Sequence, residues 1–78
     1  EEFLVLLPDT TQAGALTLGE KIRQAVATQA FPVVGEVTVS VGVSEARGAD
    51  KNEEEAVHRA DKALYRAKSE GRNRVCCD

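Results

Sequence analysis

Tryptophan and methionine are absent from the 78 residues, and Phe3, Phe31 and Tyr65 are the only aromatic side chains. A core must therefore be built from Val, Leu, Ile and Ala. A chain this short is at most one domain. It buries only ~60% of its unfolded surface on folding, so staples or partners are the usual supplement. No obvious staple is present. The two cysteines, Cys76 and Cys77, are neighbours. Adjacent strand residues point to opposite faces, so an ordinary disulfide between them is strained. No spaced Cys/His set for zinc exists either, and the pair reads as two reduced thiols of a cytoplasmic protein. There is no signal peptide and no apolar run of ~18 residues, so no membrane contact is expected of this segment. Excess positive charge is also lacking. Ten Lys and Arg face 13 Asp and Glu, for a net charge of -3, which argues against a nucleic-acid partner.

Other absences narrow the chemistry. His58 is the single histidine, and it reads as a solvated or half-buried side chain. No Ser/His/Asp set, Cys/His pair or glycine-rich phosphate loop occurs. The basic residues that are present cluster late. Arg59, Lys62, Arg66, Lys68, Arg72 and Arg74 face only Asp61 and Glu70, so a local basic region near the C-terminal end is able to hold phosphate.

Taken in order, Glu1-Glu2 precede the apolar run Phe3–Leu7, which stops at Pro8-Asp9. Such a bounded run predicts a strand buried on both faces. Asp9 and Gln12 have capping-box spacing, with Thr10 as an alternative cap. A helix is expected from about Thr11 to about Gln29, with Ala15, Leu18, Ile22 and Val26 as its apolar stripe. Gly19 inside it costs about 1 kcal/mol relative to Ala, and close helix–sheet contact is the expected compensation. Phe31-Pro32 ends the helix. Glu36–Ser44 alternates strictly. The valines face a core, and Thr38, Ser40 and Gly42 leave room for a helix or ligand.

A polar loop follows, then a second helix from about Asn52 or Glu53 to about Glu70. Glu53-Glu54-Glu55 suit its dipole. Ala56, Val57, Ala60, Leu64 and Ala67 form a narrow stripe, with Arg59, Lys62 and Arg66 outward. Gly71 is placed as C-cap, and residues 72–76 form a short last strand. The predicted order is β-α-β-α-β, an α/β sandwich of helices on a sheet.

Two clusters carry candidate chemistry. Glu1 and Glu2 stand at a strand mouth, either as a solvated terminus or as oxygen ligands aimed at a metal. Lys68 and Arg72 straddle a helix end, either capping it or gripping a phosphate chain.

These pieces together resemble the GGDEF family of diguanylate cyclases. Glu1-Glu2-Phe3 is similar to the end of the Gly-Gly-Glu-Glu-Phe signature, and Leu7–Thr10 to the segment after it. Glu20–Arg23, Val37–Val43, Arg59–Lys68 and Gly71–Val75 continue the match in order and register. The resemblance implies that residues 1–78 are the C-terminal part of a single GGDEF domain, beginning inside the signature. It implies a partial ferredoxin-like, nucleotide-cyclase palm that lacks the family's upstream strands and helices. The implied parent activity is condensation of two GTP to cyclic di-GMP, with a second GGDEF domain facing the first in a homodimer. Glu1 is then the ligand of Mg²⁺ or Mn²⁺ and a catalytic group. Glu2 belongs to the same catalytic site. Lys68 and Arg72 contact GTP phosphates, and Lys21 stands where some members bind inhibitory product. The segment alone is expected to be inactive and to form a dimer or larger assembly. The alternative is a degenerate domain that senses GTP or cyclic di-GMP, or serves as a dimerisation module.

Overall fold

The computed structural model describes residues 3–29, 35 and 37–78. Its elements run α1 (Gln12–Ala27), β1 (Val41–Val43), α2 (Glu53–Ser69) and β2 (Val75–Cys77). The two strands are parallel, with Val41 opposite Val75, Gly42 opposite Cys76 and Val43 opposite Cys77. Parallel pairing follows from the connection, because α2 carries the chain back to its starting edge before β2 begins. Backbone bonds extend the ladder at both ends. The Val41 amide donates to the Arg74 carbonyl and the Asp78 amide to that of Val43, each at 2.9 Å.

A helix covers each face of this small sheet. On one side, Gly19 of α1 lies against the Val41 and Val75 side chains; a Cβ there would stand 3.3 Å from Val75 Cγ1 and 3.4 Å from Val41 Cγ1. On the other, Gly42 lies against the α2 backbone. A Cβ on Gly42 would fall 2.2 Å from the Ala60 carbonyl oxygen and 2.4 Å from the Leu64 nitrogen. Neighbouring strand residues face opposite ways, so α1 and α2 sandwich the sheet. The expected close approach at both glycines is present. Ser44 fastens the end of β1 to α2 by donating from its hydroxyl to the Ala56 carbonyl at 2.5 Å.

Several sequence expectations are corrected. Residues Phe3–Leu7 form no strand, and Phe3 is 89% exposed. A strand needs a neighbour for its amides and carbonyls, and among the described residues the ladder joins β1 and β2 alone. The described order is therefore α-β-α-β. Of the described residues of the alternating run, Val41–Val43 alone are strand, and the last strand is Val75–Cys77 rather than 72–76. The α1 cap is Thr11, whose side chain accepts from the Gly14 amide, not Asp9 or Thr10. Asp9 has a positive φ of 52°, a turn conformation rather than a cap. The α2 boundaries agree with expectation, and Asn52 is its N-cap. Its buried positions are Ala63 and Ala67, while Val57 is exposed. The predicted stripe is largely kept: Ala67 is buried and Ala56, Ala60 and Leu64 are half-buried, with Val57 dropping out and Ala63 joining. Leu18 and Ile22 of α1 remain more than a third exposed. Phe31 and Pro32 lie outside the described residues.

The contrast between the two glycines is testable. Gly42→Ala forces backbone apart and is expected to cost about 3 kcal/mol or more. In Gly19→Ala only valine methyls must shift, and about 1 kcal/mol of helix propensity offsets the crowding. Urea unfolding of both variants should rank Gly42→Ala far below Gly19→Ala; equal stability would refute the close seat of α2.

Candidate functional site

Four of the late basic residues, Arg66, Lys68, Arg72 and Arg74, lie in the end of α2 and the segment that follows it. Arg66 and Lys68 stand in the last helical turn, and the C-cap is Glu70 rather than Gly71, which follows it at positive φ. The chain then passes through three consecutive positive φ angles: Gly71 at 129°, Arg72 at 65° and Asn73 at 49°. The Arg72 amide donates to the Ala67 carbonyl at 2.9 Å. That bond, from the second residue past the cap back to the third-last carbonyl, closes the helix as a Schellman turn. Asn tolerates the left-handed region, but for Arg it costs about 1–2 kcal/mol. The turn is held from several directions. Arg74 folds back and donates from Nε to the Arg72 carbonyl at 3.1 Å. The Arg66 guanidinium donates to the Cys77 carbonyl of β2.

Lys68 and Arg72 are thus exposed four residues apart across one helix end, as expected. Lys68 borders a shallow depression with Asp61, Leu64 and Tyr65. Tyr65 is 72% exposed there. The cations Arg66 and Lys68 also sit where a helix dipole favours positive charge. Capping alone does not call for Arg72, which stands beyond the helix in a conformation that disfavours it. Glu1 and Glu2, the candidate metal and catalytic carboxylates, lie outside the described residues. Among the described residues no group of three His, Cys, Asp or Glu could hold a metal ion. Lys21 is exposed on α1, one position on from Glu20 and about 100° round the helix from it.

Two arginine networks were not foreseen. In the first, Arg23 of α1 grips Glu20 with Nε to Oε1 at 2.9 Å and Nη2 to Oε2 at 2.6 Å. Its remaining Nη1 donates to Asn73 Oδ1 at 2.8 Å. This ties α1 to the turn that presents Arg72. In the second, Arg59 is not outward, as expected, but only 14% exposed. Nη1 and Nη2 donate to the two Asp50 oxygens at 2.8 Å, and Nη2 also to the Glu45 carbonyl at 2.8 Å. The Asp78 carboxylate lies 3.7 Å from its Nε. Arg59 therefore fastens the loop after β1 and the residue after β2 onto α2. Asp50 and Glu20 respond electrostatically. The Arg59 guanidinium, helped by the Arg47 amide, holds the Asp50 carboxyl at about 2. Hydrogen bonding to Arg23 holds that of Glu20 at about 2.

The family model described as "Diguanylate cyclase, GGDEF domain" matches residues 1–74, and the chain belongs to that family. The response regulator PleD of Caulobacter vibrioides is 42% identical over 80 residues, which is 96% of this chain and 18% of PleD. Diguanylate cyclase DgcM of Escherichia coli is 47% identical over 75 residues, again 96% of this chain and 18% of the relative. The chain thus spans about a fifth of the length of these relatives. Among solved structures, the active GGEEF domain of a diguanylate cyclase from Vibrio cholerae superposes with a TM-score of 0.85 at 36% identity, covering 91% of this chain and 46% of that one. The GGDEF domain of DgcB from Caulobacter crescentus, solved in complex with c-di-GMP, gives 0.81 at 31% identity over 91% of this chain and 43% of that one.

The depressed carboxyls set an acid limit. Ordinary values are about 3.9 for Asp and 4.3 for Glu, and both folded values are lower. Each pair therefore contributes stability that is fully present above the ordinary range and lost as pH falls through it toward about 2. The thermal midpoint should fall between about pH 4.5 and pH 2. Asp50→Asn should lower the midpoint at neutral pH and flatten this acid limb; an unchanged limb would contradict the pairing.

Proposed function

We propose that these residues are the phosphate-gripping C-terminal part of a domain whose whole protein condenses two GTP into cyclic di-GMP. The observation that carries the reading is the helix end itself. A point-charge cation, Lys68, stands in its last turn, and a forked one, Arg72, in the left-handed turn that follows. In the reaction the 3′-hydroxyl of one GTP attacks the α-phosphorus of the other. A new phosphorus–oxygen bond forms, the bond to the bridging oxygen breaks, and pyrophosphate leaves with the electron pair. The hydroxyl proton passes to a base or to water. Lys68 and Arg72 offset the negative charge on the leaving pyrophosphate, where fixed donors are worth most. Repeating the step between two facing domains closes the ring, so the partner is a second domain of the same kind in a homodimer.

Glu1 and Glu2 are assigned the carboxylate side of the site, with Mg²⁺ or Mn²⁺ on Glu1. When bound, the ion supplies Lewis-acid stabilisation of the reacting phosphate. Lys21 is assigned to an inhibitory product site. No helix among the described residues is long and apolar enough to cross a membrane, and the cytoplasm, which supplies GTP, is the proposed location.

The test is turnover of GTP with Mg²⁺ by the whole protein that carries this segment, followed by chromatography of the products. Cyclic di-GMP is expected, and Lys68→Ala or Arg72→Ala should each lower kcat/KM about a hundredfold with the fold intact by circular dichroism. GTP binding without any cyclic di-GMP would point to a sensor instead. Variants as active as the parent would remove both cations from the site.

A further inference from the structure

We propose that Arg23, oriented by Glu20, is a positioning residue that holds the Arg72 turn in its phosphate-gripping shape through Asn73. The proposal rests on the phosphate role of Arg72 proposed above. Arg72 is the least comfortable residue of the turn, a non-glycine side chain at φ 65°. The backbone is anchored before it by the Arg72 amide on the Ala67 carbonyl, and after it by the Val41 amide on the Arg74 carbonyl. Between those anchors the tie from α1 is Arg23 Nη1 to Asn73 Oδ1 at 2.8 Å.

The geometry of Arg23 suits this task. Glu20 takes Nε and Nη2 in a two-point grip, which fixes the plane of the guanidinium. That leaves Nη1 aimed at the turn. Gln24 Nε2 donates to Glu20 Oε2 at 2.9 Å and steadies the carboxylate in turn. The Arg23 side chain is 18% exposed, so the fork is partly sheltered from competing water. A lysine cannot reproduce this, because a single ammonium lacks the planar fork that serves both partners. Asn73 is suited to its end of the tie, since it accepts through its amide oxygen while tolerating a positive φ. Arg23 touches no reacting atom in this scheme. It acts through Asn73 on the direction in which Arg72 leaves the backbone.

The experiment uses the whole protein, with KM and kcat for GTP in the presence of Mg²⁺. Arg23→Gln, Arg23→Lys and Asn73→Gly should each raise KM about tenfold. Asn73→Gly keeps the turn conformation and removes only the acceptor. Asn73→Asp keeps an acceptor and should stay near the parent value. In an Arg72→Ala background, Arg23→Gln should add nothing, because coupled residues are non-additive. Equal effects of Arg23→Gln in both backgrounds, or an unchanged KM, would overturn the proposal. Amide exchange at Asn73 and Arg74 reads the tie without turnover. Faster exchange in Arg23→Gln supports it, and unchanged exchange overturns it. A parent protein that binds no GTP, yet shows the exchange effect, would sink the phosphate role of Arg72 and leave the tie standing.

Discussion

Gly42 sits against α2 where no side chain fits. A methyl group there would overlap the Ala60 carbonyl and the Leu64 backbone, so helix and strand meet backbone to backbone. Nearly everything else is a consequence of that approach. Only small residues can line the facing strip of the helix, and Ala63 and Ala67 fill it. With α2 seated this low on the sheet, its C-terminal end arrives close to the start of β2. The chain must then reverse within Gly71, Arg72 and Asn73, and it does so through three positive φ angles. The tight packing of a strand thereby dictates where a cationic side chain leaves the backbone.

The second constraint is electrostatic. A sheet of two short strands with few buried side chains has little apolar surface to spend on holding loops. The described fold uses guanidinium forks instead. Arg59 gathers the Asp50 loop and Asp78 onto α2, and Arg23 joins α1 to the Asn73 turn. Forks suit this work because each one bonds two or three partners at once in a fixed plane. The fork chemistry proposed for phosphate at Arg72 also holds the framework behind it.

Much of this was legible in the residues. The α2 limits followed from Asn52, the acidic first turn and Gly71, because caps and dipoles are local rules. The close contacts at Gly19 and Gly42 followed from glycine standing where a larger residue would be favoured. The placement of Lys68 and Arg72 about a helix end followed from their spacing, and the family from several short matches in register. What escaped depends on distance along the chain. Asp50 and Arg59 are nine apart, and Arg23 and Asn73 fifty apart; no periodicity links them. The Phe3–Leu7 run was read as a strand because its composition suits one, but strand formation needs a partner that composition does not reveal. The α2 stripe differs at Val57 and Ala63, because an alanine gives a weaker hydrophobic signal than a valine.

The most direct measurement is a structure of the whole protein with a non-hydrolysable GTP analogue and Mg²⁺. Phosphate oxygens within hydrogen-bond distance of Lys68 Nζ and the Arg72 guanidinium are expected, with Arg72 still at positive φ and Gly42 still against Ala60. A triphosphate bound elsewhere, with both cations turned to solvent, would contradict the assignment of this helix end as the phosphate grip.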